Sequence, residues 1–176
     1  MGVTPARILL EGRPGTGKTT VARRLAALLN GRGVQLAGFT TEEIRERGRR
    51  VGFGLETMGG ARGVLAHVDY PGPPRVGRYG VDLATLERLA VPALEPPAGA
   101  EGVAIVDELG KMELASEPFR DAVRALFESR TPVVATVHVF RHPFTDALKA
   151  RADVEIVPIT VADRDELPTD LGARVA

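Results

Sequence analysis

Short apolar runs alternate with helix-spaced apolar positions along most of the chain. Residues 7–11 carry Ile8-Leu9-Leu10, an uninterrupted apolar run that reads as a buried strand. A Gly/Pro loop occupies 12–17. From Lys18 to Leu29 the period changes, and Val21, Ala22, Leu25, Leu28 and Leu29 fall on one helix face. Asn30-Gly31 and Gly33 end that helix. Residues 34–41 read as the next strand. Residues 43–45 and 51–58 read as two arms of a hairpin around a polar turn, with Gly48 at a permissive turn position. Gly59-Gly60 precedes a further strand over 63–68, and Pro71-Gly72-Pro73-Pro74 is a loop. Asp82 N-caps a helix over 83–90 with Leu83, Leu86, Leu89 and Ala90 inward, and Pro92 ends or kinks it. After a Pro/Gly loop over 95–102, Val103-Ala104-Ile105-Val106 is a strand with Asp107 and Glu108 at its C-terminal end. Ser116 caps a helix reaching Glu128, with Pro118 in its first turn. Residues 132–137 form a strand, 144–151 a helix and 154–159 the last strand, with a short helix beyond Asp163. Strands alternating with helices predict an α/β fold: a mainly parallel sheet, helices on both faces, and an antiparallel hairpin extending one edge. No repeat or linker divides the chain, so 1–176 is expected to be one domain.

Composition narrows the chemistry. The 176 residues hold 23 Lys plus Arg against 23 Asp plus Glu, and no Cys. The neutral balance argues against an electrostatic nucleic-acid binder and against a membrane-surface protein. Without Cys there is no disulfide scaffold, thiolate metal site or thiol nucleophile. No stretch approaches the roughly 20 apolar residues of a membrane span, and the N-terminal apolar run is too short for a signal peptide. A cytoplasmic protein, acting as a monomer, is the expectation. The cations are lopsided: Lys18, Lys111 and Lys149 are the only lysines. Any Lys that chemistry demands must be one of these three.

Lys18 stands in the one motif that demands it. Gly12-Arg13-Pro14-Gly15-Thr16-Gly17-Lys18-Thr19 satisfies G-x-x-x-x-G-K-[ST], with an apolar strand before it and an amphipathic helix after it. Glycines let successive backbone N–H groups converge on phosphate oxygens, and the helix start aims its positive end at the same anion. Residues 12–19, together with Thr20, are therefore the expected triphosphate cradle. Lys18 reaches the β- and γ-phosphates, and the Thr19 hydroxyl is a Mg²⁺ ligand. The dinucleotide pattern G-x-G-x-x-G fails, because Thr20 stands where its third glycine belongs.

Such a loop needs an acid at the end of a neighbouring strand. Asp107 supplies it for the cation. Glu108, next in the chain, is expected to orient or deprotonate the attacking water. The pair favours a hydrolase over a kinase for a small acceptor. A third reading is a nucleotide-dependent switch that binds RNA or protein.

Three further stretches carry a resemblance. They are Gly38-Phe39-Thr40-Thr41-Glu42-Glu43-Ile44-Arg45 running on to Gly48-Arg49-Arg50-Val51-Gly52-Phe53, then Arg75-Val76-Gly77-Arg78-Tyr79-Gly80-Val81-Asp82-Leu83, then Val106-Asp107-Glu108-Leu109-Gly110-Lys111-Met112-Glu113-Leu114. With the phosphate loop, the chain resembles the small P-loop nucleoside-triphosphatases described from thermophiles, whose human counterpart is called cancer-related nucleoside-triphosphatase. The resemblance implies a RecA-like fold and Mg²⁺-dependent hydrolysis of ATP, GTP and other nucleoside triphosphates to diphosphate and phosphate. The chain departs from it at Asp163-Arg164, where the family tends to show Asn-Arg, and this bears on base preference.

Other residues divide between chemistry and scaffold. Arg45, Arg47, Arg49 and Arg50 crowd the hairpin, but Glu42, Glu43 and Glu46 interleave with them and weaken the local field. A solvated, charge-protected edge strand is the expectation there. Lys111 and Arg164 are further candidates for neutralising charge on the leaving phosphates. No arginine can be assigned to that task from sequence, so slow turnover is expected. Thr136 either senses the γ-phosphate or faces the core. His138 and His142 have a metal-like spacing, but Pro143 argues against a regular helix there. Of Phe39, Phe53 and Tyr79, at least two are expected in the core rather than against a base.

Overall fold

The structure is a computed structural model that describes residues 4–98 and 101–176. Its element order is β1 (Arg7–Glu11), α1 (Lys18–Gly31), β2 (Gln35–Glu46), β3 (Arg49–Thr57), β4 (Arg62–His67), β5 (Arg75–Val76) and β6 (Tyr79–Val81). Then come α2 (Leu83–Ala93), β7 (Gly102–Leu109), α3 (Glu117–Glu128), β8 (Val133–Val137), α4 (Pro143–Lys149), β9 (Glu155–Pro158) and α5 (Leu167–Val175). Residues 99–100 of the expected loop over 95–102 lie outside the described residues.

Nine strands among the described residues form one sheet in the order β5-β6-β4-β3-β2-β7-β8-β1-β9. The half from β2 to β9 is parallel, and the half from β5 to β2 is antiparallel. Within the parallel half, β8 lies between the strand of the phosphate loop and the strand of the acidic pair, as a RecA-like core requires. Alternation along β1 divides the core. Ile8 and Leu10 meet α1 and α5 through Val21, Leu25 and Leu171. Leu9 faces the opposite layer, with Leu86 of α2, Phe119 and Phe127 of α3, and Leu148 of α4. Both faces are covered, which is why the parallel strands read as continuous apolar runs.

Four expectations about elements change. Residues 34–41 and 43–45 are not separate strands. They form one strand, β2, whose first half pairs with β7 and whose second half pairs with β3. The polar run from Thr40 to Glu46 conceals that continuity, because Glu42 and Glu43 turn to solvent while Thr40 and Thr41 are buried. β3 is an interior strand, since β4 covers its other side; the edges are β5 and β9. The charged hairpin tip is exposed because it projects beyond its neighbours. β5 and β6 escape a pattern reading because they are two and three residues long. Pro92 neither ends nor visibly breaks α2, which runs on to Ala93; a proline in the last turn has lost few hydrogen bonds.

Both expected helix caps form. Asp82 accepts from Thr85 N at 3.0 Å. Ser116 accepts from Phe119 N at 3.2 Å and donates to Glu87 Oε1 at 2.7 Å, tying α3 to α2.

Candidate active site

The phosphate loop leaves β1 at Gly12 and enters α1 at Lys18. Gly15 and Gly17 have φ of 81° and 100°, a region open to glycine, and this curls the loop back on itself. The N–H groups of Lys18, Thr19 and Thr20 have no backbone acceptor among the described residues. They are the first donors of α1 and point into the cleft as a ready anion site. No side chain caps this helix start. Lys18 is 6% exposed, and its ammonium donates to the carbonyls of Gly12 (2.9 Å) and Arg13 (3.2 Å). Burial lowers its pKa from the ordinary lysine value, while the negative charges of Glu108 and Asp107 oppose that shift.

The acidic pair stands across from the loop. Val106 pairs with Ala135 and Leu109 with Val137, so Asp107 and Glu108 together oppose Thr136 alone. This bulge breaks the alternation that would send consecutive side chains to opposite faces. Asp107 is fully buried. Its Oδ1 accepts from Thr19 Oγ1 (3.2 Å) and Thr136 Oγ1 (2.8 Å). Its Oδ2 accepts from the N–H and Oγ1 of Thr41, each at 3.3 Å. Burial raises the Asp107 pKa above its ordinary value; the Thr136 hydroxyl works against this, and the Glu108 charge adds to it. Glu108 is one-quarter exposed, with Oε1 2.8 Å from His138 Nε2.

A third carboxylate joins them. Glu113 begins a 3-10 turn, Glu113–Ala115, and is 4% exposed. A Cβ placed on Gly110 would lie 2.7 Å from Glu108 Oε1 and 2.9 Å from Glu113 Oε2, so both carboxylates close over this glycine. Burial drives the Glu113 pKa well above the usual carboxylate range, and the charges of Glu108 and Asp107 push it the same way.

Lys18, Thr19, Glu108 and Glu113 line a cleft of about 670 Å³ at the C-terminal ends of the parallel strands, and Asp107 touches it through its bond to Thr19. The antiparallel half supplies its outer wall, with Phe53, Val76 and Tyr79. A second hollow of about 760 Å³, between α1 and β2–β3, contains none of the phosphate-loop residues and no acidic pair. Chemistry therefore assigns the site to the first.

The structure brings Lys18, Thr19, Asp107 and Glu108 together. The other candidates fall into place around them. Arg164 crosses the loop, its Cδ 2.9 Å from where a Gly17 Cβ would sit, and it lines the cleft. Lys111 is exposed at the cleft edge. Arg50 lines the outer wall, stacked 5.1 Å over Phe53 and bonded to Tyr79 and Glu43. Arg45 is bonded to Glu43 and Gly48 of its own hairpin. Phe39 and Tyr79 are buried, and Phe53 borders the cleft. Asp163 accepts from Thr160 N at 2.7 Å, which closes the turn that presents Arg164. His142 does not pair with His138 over a metal: its Nδ1 accepts from Phe144 N at 3.1 Å and caps α4. No group of three His, Cys, Asp or Glu suited to a metal exists among the described residues. Around the acids, Thr41 had no sequence signal of its own, whereas Thr136 and His138 stood out in the sequence for other roles. Thr41 and Thr136 hold Asp107, and His138 touches Glu108; only tertiary structure joins them.

The family model described as NTPase matches residues 7–171. The chain belongs to the NTPase family. A nucleoside-triphosphatase THEP1 from Thermotoga petrophila is 44% identical over 92% of this chain and 88% of that protein. The human cancer-related nucleoside-triphosphatase is 38% identical over 93% of each. Among solved structures, THEP1 from the hyperthermophile Aquifex aeolicus superposes with a TM-score of 0.85 at 32% identity, covering 96% of this chain and 98% of that one. The solution structure of the human protein gives 0.82 at 37% identity, covering 96% of each. Like these NTPase relatives, the chain is an α/β protein with a mostly parallel sheet. None of its described helices is long and apolar enough to cross a membrane.

Proposed function

We propose that this NTPase-family protein is a cytoplasmic, monomeric hydrolase of nucleoside triphosphates. It releases diphosphate and phosphate, with Mg²⁺ and with broad base tolerance. The observation that carries this reading is Thr19 Oγ1 3.2 Å from Asp107 Oδ1, with Lys18 and Glu108 on the same cleft. The donor chemistry fits Mg²⁺. It is all oxygen, a hydroxyl beside a carboxylate, and Mg²⁺ commonly uses one or two carboxylates plus substrate phosphates and water. When bound, the ion neutralises charge on the β- and γ-phosphate oxygens.

The chain's own residues account for the rest. Lys18 and the N–H groups at the start of α1 grip the phosphates. Thr41 and Thr136 fix Asp107, so Asp107 and Thr19 present a set geometry to the cation. Glu108 takes a proton from the attacking water. The water oxygen bonds to the γ-phosphorus, and the bond from phosphorus to the β–γ bridging oxygen breaks. The bridging oxygen leaves with the diphosphate. Every assigned contact goes to phosphate, cation or water, which supports tolerance of different bases. No arginine is assigned to the transferring group, and slow turnover is the expectation on that ground.

The test is phosphate release from the common NTPs and dNTPs with no acceptor added, with Mg²⁺ and in excess chelator. Release from several bases, lost in chelator, is expected. Strict dependence on an acceptor would transfer the protein to the phosphotransferases.

A further inference from the structure

Glu108, more exposed than Asp107, is held by a single side chain. Its Oε1 lies 2.8 Å from His138 Nε2. An ionised carboxylate only accepts hydrogen bonds, so for Glu108 to serve as the base this nitrogen must be the one that carries the hydrogen. The other ring nitrogen, Nδ1, is buried and meets no partner among the described residues. The ring's hydrogen bonding is thus directed at Glu108.

The placement follows from β8. His138 stands two residues beyond Thr136, one past the end of the strand, and alternate residues of a strand face the same side. Thr136 donates to Asp107 and His138 donates to Glu108, so one face of β8 holds both acids. His138 is itself anchored. The Lys149 ammonium donates to its carbonyl at 3.1 Å and pairs with Glu11. The Phe140 ring lies 6.0 Å from the imidazole, tilted by 38°. On the other flank, Oε1 closes over Gly110.

We propose that His138 is a positioning residue for hydrolysis. By occupying Oε1, it leaves Oε2 of Glu108 as the basic atom turned toward the attacking water. This rests on the reading of Glu108 as the base.

The experiment measures kcat and KM for phosphate release in His138→Ala, His138→Gln, Glu108→Gln and the Glu108→Gln/His138→Ala double variant, with thermal midpoints as a control on folding. His138→Ala should lower kcat about tenfold or more, and KM should stay within about twofold. His138→Gln should recover most of the loss, since a glutamine amide can donate to the same oxygen. Adding His138→Ala to Glu108→Gln should cost no more than about twofold, because the two act through one carboxylate. Wild-type kcat in His138→Ala beside a slow Glu108→Gln overturns the proposal. So does a double variant whose losses multiply. Should His138→Ala fail to fold, a folded His138→Gln that turns over slowly with unchanged midpoint overturns it as well. Wild-type turnover in Glu108→Gln would instead remove the base itself, and His138's role with it.

Discussion

Asp107 and Glu108 are adjacent in the chain and differ in every physical respect that bears on their work. Asp107 is fully buried and accepts from four donors drawn from α1, β2 and β8. Disturbing it is costly. Glu108 is one-quarter exposed and has one side-chain partner. The first arrangement suits a group that fixes a cation; the second suits one that must accept a proton and release it. Asp107→Asn should therefore weaken Mg²⁺-dependent nucleotide binding, and raised Mg²⁺ should restore part of it. Titration of nucleotide binding at several Mg²⁺ concentrations checks this. Unchanged Mg²⁺ dependence would place the cation elsewhere. At this scale the curl of the loop and the placement of its lysine were legible, because G-x-x-x-x-G-K-T is local: one short segment holds both. The four donors to Asp107 were not legible. Thr19, Thr41 and Thr136 are far apart in sequence, and nothing in an isolated threonine says which carboxylate it will meet.

Elements carry a second consequence. The turn after β7 buries Glu113 beneath the acidic pair, and burial raises its pKa well above the usual range. An unfolded glutamate titrates near about 4.3. Above that pH and up to its folded value, the folded protein holds more protons on Glu113 than the unfolded chain does. Stability therefore falls as pH rises through this window. Glu113→Gln resembles the protonated side chain and escapes the penalty. The midpoint of Glu113→Gln, measured in chelator, should gain on wild type as pH goes from about 5 to about 8. A gap that stays constant over that range would mean that the buried carboxyl is not protonated preferentially in the fold. Glu113 lies in a recognisable run, Glu108 to Leu114, yet sequence marks it only as part of a pattern; its burial depends on Gly110 letting two carboxylates approach. The same limit applies to β2. Its apolar half and polar half obey different patterns because they serve different partners, and pattern reading divided one strand in two.

Across the whole molecule, the site lies where an α/β sheet offers a crevice, beyond the carboxyl ends of its parallel strands. β1 delivers the phosphate loop, β7 the acids, and β8 between them Thr136 and, one residue past its end, His138, each touching one of the acids. The antiparallel half adds the outer wall through Phe53, Val76 and Tyr79. The layering was legible because both faces of the parallel strands are apolar; the part of the wall on β5 and β6 was not, because those strands are too short to show a period. The proposed function is a division of labour: Lys18, Thr19 and Asp107 grip the Mg²⁺–nucleotide, and Glu108 acts on water alone. The most direct measurement is nucleotide affinity and phosphate release on the same preparation of Glu108→Gln. Turnover should fall about 10²-fold or more while affinity stays near wild type. Near-wild-type release, or loss of binding together with turnover, would contradict it.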